Sequence, residues 1–197
     1  FDRGLMNGVT TMQILPGSTP IFAGRSVVVK PVRTSTVWGM KVAGGAQGFK
    51  MACGENPKSW GADDDNEGPT SRQGVIAYMR QAFLDAQAYG RERAAGKVGR
   101  DLKKEALLGI MAGNIRVNLH CYRANDIASV LAVGQEFGFR IGAIHHATEA
   151  YKIPGLLRES GTCAAVWADW WGFKMEAQDA VRAEAPLLER AGVCVMM

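Results

Sequence analysis

Short apolar runs alternate with longer stretches of helical period from about residue 48 to the end of the chain. Few architectures accept that order, which is the pattern of β/α units around a parallel sheet. The spacing predicts helices over 70–94, 101–112, from Asn125 or Asp126 to Gly138, and over 153–160 and 176–191. In the first of these Thr70 is the expected cap, with Gln73 three residues on, followed by Val75, Met79, Ala82, Phe83, Ala86 and Tyr89 on one face. Strands are expected over 49–54, 116–122, 140–147, 162–169 and 193–197.

Two β-branched runs, 8–15 and 26–30, bring the expected strands to seven. Equivalent points on the later strands recur about every 20 to 30 residues, the size of one β/α unit. A (β/α)8 barrel takes roughly 250 residues and eight strands. The 197 residues therefore read as one α/β domain, residues 1–197, with an incomplete TIM-type barrel of about seven strands. Phe1 is not an initiator methionine, and the apolar run ending at Met197 has no polar tail, so both ends look cut.

Charge excludes some functions. Twenty-three Lys and Arg against 19 Asp and Glu leave +4, scattered without a basic patch, which argues against nucleic acid. No apolar run approaches the roughly 18 to 20 residues of a membrane span, and no signal peptide opens the chain. A cytoplasmic protein with four reduced, buried thiols is the expectation, because Cys53, Cys121, Cys163 and Cys194 lie far apart in apolar runs.

All three histidines fall in expected strands. Alternation puts Asn118, His120 and Tyr122 on one face and Val117, Leu119 and Cys121 on the other, and groups Ile141 and Ala143 with His145. In a barrel the polar set points inward, with His120 near the C-terminal strand end where active sites are built. His120 and His145 at equal height are a start for a divalent-metal site; the alternative is two hydrogen-bonded core histidines.

Lys50, inside an apolar strand, needs a carboxylate partner or conversion to a metal-binding carbamate unless it snorkels to the surface. Glu55 is a competing ligand or a solvated loop carboxylate in a long 54–69 loop. The acidic run 63–67 lacks the spacing of an EF-hand and reads as a solvated turn. Trp167, Trp170 and Trp171 are expected to bury against the barrel, with a pocket mouth as the alternative.

The ordered set GVTT (8–11), LPGS (15–18), FKMACGENPK (49–58), HCYRANDI (120–127), EFG (136–138) and HHATEAY (145–151) resembles the amidohydrolase superfamily, above all its imidazolonepropionase-like members. The resemblance implies a metal-dependent hydrolase that cleaves an amide or cyclic amide C–N bond in a small molecule through a metal-activated hydroxide. It implies His120 and His145 as ligands of a divalent metal, zinc first, Lys50 as a carboxylated bridging lysine with Glu55 as fallback, and Tyr122, Arg123 and His146 near substrate. His146 replaces a common Gly, and Tyr122 a common His. The family's strand 1 His-x-His pair would precede Phe1 and its strand 8 Asp would follow Met197, so this stretch alone is expected to be inactive. Uncovered strand edges predict a homo-oligomer. The alternative is a non-catalytic α/β scaffold for assembly or ligand binding, with structural histidines.

Overall fold

The computed structural model describes residues 1–61, 68–170 and 172–197. The acidic run at 63–67 and Trp171 lie outside the described residues. In chain order the elements are α1 (Asp2–Met6), β1 (Met12–Ile14), β2 (Phe22–Val29), α2 (Val37–Met40), β3 (Gly48–Ala52), α3 (Glu55–Gly61), α4 (Arg72–Ala94) and α5 (Leu102–Met111). There follow β4 (Arg116–Cys121), α6 (Ala124–Phe137), β5 (Ile141–His146), α7 (Pro154–Ser160), β6 (Cys163–Ala165), α8 (Glu184–Arg190) and β7 (Val195–Met196), with single 3-10 turns at Ala150–Lys152 and Met175–Ala177.

The seven strands form one curled sheet in sequence order, an incomplete barrel as expected. Strands β3 to β7 are parallel, but β1–β2 and β2–β3 pair antiparallel. Chain length decides this. Residues 15–21 are too few for the crossover that parallel neighbours need, and 30–47 contain only the four-residue α2.

The sheet sorts its faces by alternation. Met51, Leu119, Ile144 and Ala164 point to the helix side, where α4 and α6 cover them with Val75, Met79, Phe83, Ile127 and Val130, all essentially inaccessible. Phe83 stacks on Phe137 at 5.2 Å and meets Phe22 edge-on at 5.8 Å. One grouping changes. A bulge at Gly142 pairs Ile141 with Val117 and Ala143 with Asn118, so Ile141 joins the helix-side core while Ala143 and His145 face inward.

Several local expectations shift. Ser71, not Thr70, caps α4, its Oγ accepting from Gly74 N at 3.0 Å. Part of the 54–69 loop is helix α3. The 162–169 run pairs only over Cys163–Ala165, because Trp167 leaves the sheet to pack on His146. The single helix expected over 176–191 is a 3-10 turn and the short α8. Pro186 explains the break: it fits the first turn of α8, but a longer helix would lose its N–H bond and crowd the carbonyl of residue 182.

The cysteines are not free thiols. Cys53 pairs with Cys121 across β3–β4 (Cα–Cα 5.2 Å) and Cys163 with Cys194 across β6–β7 (Cα–Cα 4.5 Å). The parallel register sets each pair side by side, which no sequence spacing reveals.

Candidate active site

Parallel register lines up the inward residues at the C-terminal strand ends. Ala52, His120, His145 and Ala165 form one rung across β3 to β6, and Lys50 lies beside Asn118 one rung below. Alanines on either side of the two histidines leave the imidazoles as the projecting groups. His145 Nε2 lies 3.2 Å from Asn118 Oδ1, which places its ring on the same face as Asn118 and His120. The amide oxygen accepts, so Nε2 carries the proton and Nδ1 keeps its lone pair.

His120 is 2% exposed, and among the described residues neither of its ring nitrogens has a hydrogen-bond partner. Burial, then the neighbouring His146, Lys50, Lys174 and His145, pushes its pKa down to about 2. Burial and Lys50 hold His145 at about 4, and burial, His145 and the two lysines hold His146 there too. All three rings are neutral at pH 7, the ligating form of imidazole.

Lys50 is 5% exposed, which removes the snorkelling alternative. Its Nζ donates to Ser18 Oγ at 2.9 Å and has no carboxylate partner among the described residues, and burial lowers its pKa. His146 would by alternation point to the helix side. Its backbone is instead left-handed (φ 74°), as is that of Ala147 (φ 50°), and its ring turns back to within 4.7 Å of His120. Trp167 Nε1–H donates to His146 Nδ1 at 2.9 Å, and Tyr122 meets His120 edge-on at 4.7 Å. The aromatic tail thus caps the site, with Trp167 half exposed rather than buried against the sheet.

Neither Glu55 nor Arg123 makes a hydrogen bond to these groups among the described residues, although the Glu55 charge helps raise the Tyr122 pKa. Both line an adjoining open cleft of about 430 Å³ with Lys58, Arg72, Glu149 and Glu176. Glu55 is not a solvated loop carboxylate: it opens α3, and its Oε2 is buried without a partner among the described residues.

Sequence reasoning missed the ionic cluster that fixes these loops. Buried Glu176 accepts from Glu55 N (2.9 Å), Arg72 Nη2 (3.0 Å) and Lys174 Nζ (2.7 Å), while Arg72 also pairs with Asp126. Lys174 Nζ lies 4.3 Å from the Tyr122 ring centroid. No local pattern in the sequence singles out Glu176: Lys174 is two positions away, but Arg72 and Glu55 lie 104 and 121 positions away.

Two neutral imidazoles on one rung, one with both nitrogens unused, fit a divalent ion. The set is partial, since no group of three or more His, Cys, Asp or Glu able to hold an ion occurs among the described residues.

No protein-family model matches the chain. Amidohydrolase tasK of Hapsidospora irregularis is 32% identical over 197 aligned positions, which cover 86% of this chain and 20% of that protein. A crystal structure of an amidohydrolase from Thermotoga maritima superposes with a TM-score of 0.89 at 32% identity, covering 98% of this chain and 51% of that one. The chain thus spans about half the length of the solved relative and about a fifth of the curated one. In both sequence and fold this chain is similar to part of an amidohydrolase.

Proposed function

We propose that this chain carries part of the centre of a metal-dependent hydrolase that cleaves an amide or cyclic amide C–N bond in a small-molecule substrate. One observation carries the reading: His120 is buried beside His145 with both ring nitrogens unpartnered among the described residues. Burying an imidazole without partners is costly unless something else binds it. His120, His145 through Nδ1, and Lys50, as the amine or as its carbamate, would hold the ion, zinc first. The chemistry gained with an ion held there would be a hydroxide nucleophile at neutral pH and polarisation of the scissile carbonyl.

The chain's own groups do the rest of the work at this end of the barrel. Asn118 fixes the His145 tautomer, and the buried Tyr122 phenol, its pKa raised by burial and by Glu176 and Glu55, stays protonated as a donor toward substrate. His146 faces the same space, and Arg123 lines the adjoining cleft. The open edges of β1 and β7 favour a further copy or segment alongside. No helix among the described residues is long and apolar enough to cross a membrane. Cystines persist in oxidising compartments, and the two here favour such a compartment over the cytoplasm.

Zinc titration of the 197-residue chain and of its His120→Asn/His145→Asn variant tests the reading. Weak binding that falls by about tenfold or more in the variant supports it. Affinity that does not change, with stability unaltered, favours the scaffold alternative. Amide turnover by the chain alone is expected to be absent; hydrolysis that a chelator abolishes would show that these residues suffice.

A further inference from the structure

Tyr122, His146 and Trp167 stand just beyond or at the ends of β4, β5 and β6 and form a row of near-parallel rings. Trp167 lies 6.1 Å from His146 with 6° between planes, and His146 lies 5.2 Å from Tyr122 with 19°. Trp170 tilts against all three at 4.8 to 5.8 Å, and Phe173 stacks on Trp170 at 4.4 Å. Two features mark the row as built for more than packing. The left-handed backbone of His146 and Ala147 is needed to bring the imidazole into it, and the Trp167 indole N–H fixes that ring. The Tyr122 end is closed by the Lys174 ammonium. Trp167 and Phe173 nevertheless leave 54% and 49% of their surface open. A cluster serving only as a satellite core would cover its largest rings.

Beside this wall lies the second observation, the unpartnered and almost fully buried His120 imidazole, whose ring touches both Tyr122 and His146. We propose that the wall is a substrate-recognition surface for a flat aromatic acyl group, so that the site prefers aryl amides over aliphatic amides of the same length. The inference rests on the hydrolase reading for the word substrate, and it assigns the exposed faces of Trp167 and Phe173 to the ring. The wall itself makes and breaks no bond.

The test uses two soluble probes that differ only in the acyl group and match in length, N-benzoylglycinamide and N-cyclohexanecarbonylglycinamide, titrated against the whole metal-free chain by saturation-transfer NMR. The benzoyl probe is expected to bind about five- to tenfold more tightly, the equivalent of one stacking contact. Trp167→Ala/Phe173→Ala should erase that preference with circular dichroism unchanged, while Trp167→Phe, which keeps a ring, should retain most of it. Equal binding of the two probes, or a preference indifferent to Trp167→Ala, overturns the proposal. His120→Asn separates the two readings: it should abolish zinc binding and leave the benzoyl preference in place. Zinc binding that His120→Asn leaves unchanged, with the benzoyl preference intact, would sink the hydrolase reading alone.

Discussion

Gly54 occupies a position that other residues cannot share. Its φ of 80° is left-handed, and a Cβ there would lie 2.8 Å from Glu176 Oε2, the oxygen that accepts from Glu55 N and Arg72. Gly54→Ala combines backbone strain with displacement of a buried carboxylate and is expected to cost about 2–4 kcal/mol in urea unfolding. Glu184 makes a separate prediction. Burial raises its carboxyl to about 8, against the opposing backbone N–H groups of Ala150 and Tyr151. A folded pKa above the unfolded value means that the contribution is full below about pH 4.5, declines as pH rises, and is gone above about 8. Thermal midpoints should therefore drop between pH 5 and 9, and Glu184→Gln should flatten that slope and stabilise the alkaline end; parallel profiles for the two proteins would refute the assignment. At this scale the sequence is readable where alternation governs, as at His120 and His145. It fails at His146, because a left-handed backbone reverses the face that alternation assigns, and at Glu176, two of whose three partners, Glu55 and Arg72, are distant in the chain.

Elements that carry their own periodicity are found from sequence to within a residue or two, and those set by tertiary contacts are not. Helix α4 shows its buried stripe of Val75, Met79, Phe83, Ala86 and Tyr89, so its extent is legible even though the cap moves from Thr70 to Ser71. Helix α8 has too few turns to show a stripe, and Pro186 limits it to seven residues. Arg72, at the start of α4, shows how such elements are held together: it joins α4 to Asp126 on α6 and to Glu176 on the 3-10 turn, with side-chain exposures of 9% and 1% for the two acids. Arg72→Ala leaves the buried Asp126 without its cation and Glu176 with Lys174 alone. The expected loss is about 3–5 kcal/mol. Because Lys174 and Glu55 depend on the same carboxylate, the variant should also release the 172–178 segment, read as faster amide exchange there than in α4. Uniform exchange across both would show that the cluster fastens nothing.

For the whole molecule, strand order from β3 onward follows from the β/α rhythm, whereas the antiparallel hairpin and the cystines follow from distances that only the folded sheet defines. The two cystines differ in a way that makes them separately measurable. Cys53 and Cys121 are almost fully buried under the helix face, while Cys194 is exposed at the β7 edge. They close 68 and 31 residues, so each restricts the unfolded chain by about 4 kcal/mol in the loop-entropy treatment. Strand β7 is joined to β6 at only two register positions, Ala164 with Val195 and Ala165 with Met196, so Cys163–Cys194 contributes much of what fastens that edge. A mild dithiol reductant on the folded protein should open Cys163–Cys194 first. Alkylation and intact mass would then show two adducts, and four only after unfolding in reductant. The species with two adducts should melt lower than the oxidised protein but keep the helix signal of α4 and α6, since their core lies on the other side of the sheet. Four adducts on protein unfolded without reductant would mean that neither bond exists, and the compartment argument built on them would go with it.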